Sequence, residues 1–199
     1  MNTNPTPEIR LTGKAGAILA VFLMACGLLG EPALAQARVS KEYKLKATFL
    51  LNFARFVEWP PDTWASAEAP LTIGVLGDDD FGPFLDQIVH GEKIGNRPLI
   101  VRRSRTVEGL KGCNILFVSK SEEARLGTVL MALGQSTVLT VGEVEGFARR
   151  GGVINFYLDG ERLRFEINAD AAVRCGLKIS SQLLSLGKLV GTADSKEHR

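Results

Sequence analysis

LTIGVLGDDDFGPFLDQIV, residues 71–89, decides the fold class. Residues 71–76 are six uncharged positions with the aliphatic content of a short buried strand. Gly77 and three consecutive aspartates then supply a polar turn, and residues 83–89 suit a short helix with Pro83 in its tolerated first turn. A strand feeding a helix through a tight turn is the unit from which α/β domains are built.

The same alternation extends outward. Residues 98–103 predict a second strand whose proline suits a strand end or edge. NILFV at 114–118 predicts a third strand, followed by a helix over 121–133, and TVLTV at 137–141 predicts a fourth. Gly151-Gly152 opens a strand over 153–158, and Asp159-Gly160 is a hairpin signal before a strand over 161–167. Asn168 caps a helix that Gly176 ends, and residues 180–190 form a final amphipathic helix. Upstream, Ser40 caps a helix through residue 57, with Tyr43, Ala47, Leu50, Ala54 and Val57 on one apolar face and Phe49, Phe53 and Phe56 widening it. Pro60-Pro61 stops that helix, and the proline after Trp59 pushes Trp59 towards an extended backbone. The pattern predicts a single α/β domain: a mixed, mostly parallel sheet with helices on both faces, a C-terminal β-hairpin forming an antiparallel edge, and C-terminal helices.

The first 35 residues read as an address. Arg10 and Lys14 precede an uncharged run over 15–30, and Ala33-Leu34-Ala35 offers small residues to a signal peptidase, so cleavage is expected at Ala35–Gln36 or just beyond. The domain then occupies residues 36–191, with a polar disordered tail over 192–199. Removing Glu8, Arg10, Lys14 and Glu31 leaves the net charge of +2 unchanged. That balance, 24 basic against 22 acidic residues, argues against nucleic acid as a partner, because such surfaces are strongly basic. Cys26 leaves with the leader. Cys113 and Cys175 can then form one disulfide worth about 2–4 kcal/mol in an oxidising compartment, or remain two buried thiols.

The inventory for chemistry is thin. No G-x-G-x-x-G follows the first strand, and Asp78–Asp80 would repel a pyrophosphate. A receiver-like acidic site lacks its phosphate-accepting aspartate, since Ser119 ends the comparable strand. G-x-S-x-G, H-E-x-x-H and C-x-x-C are absent, and His90 is the sole histidine of the domain body, so no catalytic residue, metal site or cofactor is expected. Glu143, Glu145, Glu161 and Glu166 default to solvated surface. Arg97, Arg102, Arg103 and Arg105 form the densest positive patch, suited to edge protection or to an anionic partner.

Six blocks, in order, resemble the YfiR-like family of periplasmic proteins. They are KATFLLNFARFVEWP at 46–60; IGVLG at 73–77 with Phe81-Gly82; GCNILFVS at 112–119; VLTV at 138–141 with GFA at 146–148 and GGVINF at 151–156; LRFEIN at 163–168; and GLKISSQLL at 176–184. The resemblance implies a non-catalytic periplasmic regulator. It would bind the periplasmic domain of an inner-membrane sensor, a diguanylate cyclase, and hold it inactive, limiting cyclic-di-GMP and biofilm. It also implies a homodimer and redox-linked disulfides. Cys113 matches a family cysteine position, but residues 138–152 hold no cysteine, so the same bond does not carry over. A docking regulator needs no nucleophile, only a surface that prefers one state of its partner. Phe56, Glu58, Trp59 and Lys178 are the candidate partner or ligand contacts, aromatic and charged groups in the first and last blocks. The second expectation is a small-molecule binding module with its pocket near Trp59.

Overall fold

The computed structural model describes residues 30–191, with side chains from Lys41 onward. The expected leader, apart from the backbone of residues 30–35, and the expected tail over 192–199 lie outside the described residues. The first helix, α1, spans Gly30–Phe56 and starts before Ser40. Beyond Pro32, which the first turn tolerates, nothing in the alanine-rich run breaks a helix, so Ser40 is not its cap. Val57 lies one residue past the helix end, in β1 (Val57–Glu58). The predicted stripe is buried as expected: Ala47, Leu50, Phe53 and Ala54 are fully enclosed, with Tyr43 and Val57 close behind.

β2 (Leu71–Leu76) and α2 (Pro83–Val89) fall on the predicted residues. Strand β3 (Lys93–Ile94) turns antiparallel onto β4 (Arg97–Ser104). β5 (Ile115–Val118) leads through a 3₁₀ segment at Lys120–Arg125 into α3 (Leu126–Leu133), so the predicted helix over 121–133 divides in two. β6 (Leu139–Gly142), β7 (Ile154–Asp159) and β8 (Arg162–Ile167) follow. The β7–β8 loop is Gly160-Glu161, because Asp159 pairs with Arg162, and Gly160 at φ +61 takes the first central position of the turn, which only glycine adopts freely.

Asn168 caps α4 (Ala169–Arg174) by accepting the Ala171 N–H at 2.9 Å. β9 (Lys178–Ile179) comes next, then α5 (Ser181–Leu186) and β10 (Lys188–Leu189). The predicted helix over 180–190 therefore stops early: at Gly187 the chain passes close to Ile167 and Phe165, and Lys188–Leu189 joins the sheet.

The eight-stranded sheet runs β10-β8-β7-β6-β5-β2-β4-β3, with its central strands parallel and the β7–β8 hairpin antiparallel. The fold class is as predicted. The hairpin is not the edge, however, because β10 pairs parallel to β8 outside it. Alternation along β2 and β5 divides the core. Leu71, Ile73, Val75, Ile115 and Phe117 meet α1, α2, α4 and α5 on one face, while Leu76, Leu116 and Val118 meet α3 on the other. Phe49 and Phe53 pack against Phe156 and Phe165 with ring centroids 5.3–5.9 Å apart, which fixes α1 across β7 and β8.

Candidate functional site

Helix α1 connects two polar regions at opposite ends of the parallel strands. At their carboxyl ends, Glu143 follows β6 and is buried, not solvated as the sequence suggested. Its carboxylate accepts from the Tyr43 hydroxyl at 2.9 and 3.0 Å, from the Lys120 N–H at 2.9 Å, and pairs with Lys46 Nζ at 2.5 Å. Lys46 also pairs with Glu42 one turn back. Only 4% of the Lys46 side chain and 6% of the Glu143 side chain reach solvent. Burial first, then the Glu143 charge, pushes the Tyr43 phenol far above its ordinary range. Nearby Ser121 Oγ accepts the Asp78 N–H at 3.0 Å, joining the β2 and β5 ends where the strand order reverses. Doubly wound sheets bind ligands at that place. Here the chain's own side chains knit it together.

At the amino ends the sequence-selected residues converge. β1 pairs antiparallel with β9 in a separate two-stranded ribbon, Val57 opposite Ile179 and Glu58 opposite Lys178, and the Ser180 N–H donates to the Phe56 carbonyl at 3.0 Å. Phe56, Glu58, Trp59 and Lys178 therefore share one patch although Lys178 is far along the chain. Glu58 and Lys178 are 78% and 84% exposed and only loosely paired, at 3.9 Å. Trp59 is half-buried on the core, its indole N–H donating to the Asn114 carbonyl at 3.3 Å. Gly176 ends α4 at φ +71, a conformation that delivers Lys178 to β1, with Pro60 packed alongside.

Two neighbours escaped sequence reasoning. Trp64 meets Trp59 edge-on at 6.2 Å. Arg97 lies over the Trp64 ring at 3.9 Å and donates to the carbonyls of Ser66 and Ala69 at 2.8 and 3.0 Å, fastening the 61–70 loop. The signal was in the composition: both tryptophans of the chain stand five residues apart in one loop.

The arginine patch disperses in three dimensions. Arg103 binds Asp79 and Asp86 at the start of α2, Arg102 donates to the carbonyls of Gly109 and Lys111, and Arg105 pairs with Asp78. Glu166 is likewise mostly covered, between Arg149 and Lys188 at 3.3 Å each. Cys113 and Cys175 are free thiols, contrary to a bridge: Cys113 packs in the α3-side cluster and Cys175 against the α1-side cluster, with the sheet between them. Burial raises both thiol pKa values, which disfavours the nucleophilic thiolate. Among the described residues no group of three or more His, Cys, Asp or Glu is placed to hold a metal ion, and no helix is long and apolar enough to cross a membrane.

Among solved structures, the chain is similar to an ABC domain from Streptococcus pneumoniae in complex with L-Trp, at 13% identity and a TM-score of 0.46, covering 60% of this chain and 55% of that one. It is also similar to a conserved domain protein from Vibrio cholerae O1 biovar El Tor, at 11% identity and a TM-score of 0.44, covering 60% of this chain and 54% of that one. The chain thus spans about half the length of these structures. The YfiR/HmsC-like family profile matches residues 43–188, from the buried Tyr43 to the edge strand at Lys188. That family is one of periplasmic, non-catalytic regulators tied to cyclic-di-GMP signalling. With the match running from α1 to the first residue of β10 and through both halves of the β1–β9 ribbon, the chain belongs to the YfiR/HmsC-like family.

Proposed function

We propose that this chain is exported by residues 1–35, cut at Ala35–Gln36, and acts in the periplasm as a docking repressor of an inner-membrane sensor, a diguanylate cyclase with a periplasmic domain. Family membership supports the regulatory class. The observation that carries the docking surface is the convergence of Phe56, Glu58, Trp59 and Lys178 on the β1–β9 ribbon. A half-buried tryptophan beside a loosely paired, solvated charge couple is the composition of an interface centre with its polar rim. Turning a mostly active partner into a mostly inactive one requires about 5.5 kcal/mol of preference between its two states, within the range of an ordinary interface. Deleting the gene is expected to raise cyclic-di-GMP, wild-type chain to restore it, and Lys178→Glu chain, equally exported, to fail. An unchanged cyclic-di-GMP level on deletion contradicts the reading.

A second reading, a small-molecule module acting through the same loop, has one observation in its favour. Thr63 Oγ1 is buried beside Trp64 without a hydrogen-bond partner among the described residues, although a buried hydroxyl normally has one. Under this reading a ligand supplies that partner, and screening by tryptophan fluorescence and thermal shift finds a compound that stabilises the protein in a dose-dependent way.

A further inference from the structure

Strand β4 is longer than the strand that covers its outer side. β3 pairs with it only at Arg97 and Pro98, and the Leu99 N–H donates to the Glu92 carbonyl at 3.1 Å. The chain reaches Glu92 from α2 through a turn at Gly91 (φ +75), so β3 does not extend along β4 beyond that bond. Backbone groups of successive strand residues point to opposite sides. Leu99 faces outward, whereas Ser104, whose carbonyl accepts the Gly77 N–H at 3.1 Å, faces β2. Ile100, Arg102 and Ser104 therefore bond β2, and the N–H and C=O groups of Val101 and Arg103 face outward. Among the described residues nothing bonds to them. A row of unpaired backbone groups is a template for another strand. We infer that the edge of β4 over residues 100–104 is a docking site for an extended, acidic segment of a partner protein, added to the sheet as a further strand.

The side chains beside that edge select the occupant. Leu99, Val101 and Arg103 turn towards α1 and α2, where Asp79 and Asp86 hold Arg103. Pro98, Ile100 and Arg102 turn to the other face, and all three are exposed. Lys93 stands opposite Pro98 and shares that face. The neighbouring carboxylates are engaged elsewhere: Asp79 and Asp86 with Arg103, Asp78 with Arg105, and Glu92 with Arg55. Arg102 donates only to the carbonyls of Gly109 and Lys111, and among the described residues neither Arg102 nor Lys93 pairs with a carboxylate. Ile100, 39% exposed between these two cations, fits a strand with one apolar side chain flanked by Asp or Glu on the same face. A second copy fits badly, because edge-to-edge pairing would set Arg102 and Lys93 against their own charges. The β4 edge shares no strand with the β1–β9 ribbon.

The probe is a fluorescein-labelled peptide, Thr-Glu-Thr-Val-Thr-Glu-Thr, which reads the same in both directions and so suits either strand polarity. Fluorescence polarisation is expected to show saturable binding that weakens with added salt. Replacing both Glu of the peptide by Lys is expected to weaken it about tenfold, and a fully N-methylated peptide, which cannot donate to the edge, is expected not to bind. Hydrogen exchange followed by NMR is expected to find the Val101 and Arg103 amides unprotected in the free protein and slowed by the acidic peptide. The Ile100 and Arg102 amides, bonded to β2, stay slow throughout. Arg102→Glu is expected to weaken the peptide about tenfold, and Lys178→Glu to leave its affinity unchanged, which separates this site from the ribbon. Failure of the acidic peptide to bind at millimolar concentration overturns the proposal. So does equal binding of the Lys peptide, or binding that leaves Val101 and Arg103 exchanging freely. Protection of those amides before any peptide is added overturns it as well, and protection that grows with protein concentration would assign the edge to a second copy. A loss in Lys178→Glu equal to that in Arg102→Glu would move the peptide to the ribbon, against the proposal.

Discussion

The two ends of α1 carry the same kinds of charge in opposite circumstances. Lys46 and Glu143 are buried, close and cross-linked to Tyr43 and a backbone N–H, whereas Glu58 and Lys178 are solvated and 3.9 Å apart. A buried charge pair is costly to break because the survivor stays out of water, while an exposed pair contributes little to folding. The carboxyl end therefore holds the molecule together, and the amino end is the one free to be read by something else. On the proposed docking reading, the usual ligand crevice of a doubly wound sheet is knit into the scaffold, and recognition is assigned to the other end.

The contrast breaks first, and most visibly, at Glu143. Glu143→Ala leaves Lys46 buried with Glu42 as its remaining carboxylate and the Tyr43 ring at 4.3 Å, and is expected to destabilise the fold by about 3 kcal/mol in urea unfolding. A loss near zero would mean the two ends are not different in kind. Next comes the ribbon. Lys178→Glu or Glu58→Lys is expected to leave the melting temperature in place yet weaken sensor binding about tenfold, or 1.4 kcal/mol. The exchanged double variant restores the internal pair but not the binding, because a partner reads the positions of the charges and not merely their sum.

Smaller effects sharpen the picture. Trp59→Phe removes the indole N–H from the Asn114 carbonyl and is expected to cost about 1 kcal/mol of stability by denaturant titration while keeping most of the aromatic area. The smallest effect is expected at Asp86. Hydrogen bonding to Arg103 holds its pKa below the unfolded value, so its contribution is complete above the ordinary carboxylate range and is lost as the pH falls through the lowered value. Stability measured against pH should accordingly lose a little of its acid limb in Arg103→Ala.

How legible all this was depends on distance along the chain. The α1 stripe, β2 and α2 could be read because periodicity and turn residues are local signals. The two-residue strands β1, β3, β9 and β10 could not, because such strands are defined by their partners and not by any pattern of their own. The same reason hid the burial of Glu143, whose partners Tyr43 and Lys46 lie about a hundred residues away. Phe56, Glu58, Trp59 and Lys178 were singled out individually through the family blocks, but only the β1–β9 register brings them together. Arg97 was read as edge protection or a contact for an anionic partner, since nothing local announces that an arginine will lie over Trp64 and fasten its loop.

The most direct measurement is a binding titration of the purified protein against the periplasmic domain of its membrane sensor, run side by side for wild type and Lys178→Glu. The account requires saturable binding by the wild type and at least a tenfold loss in the variant with its fold intact. Equal affinity for both, or no binding by the wild type, contradicts it.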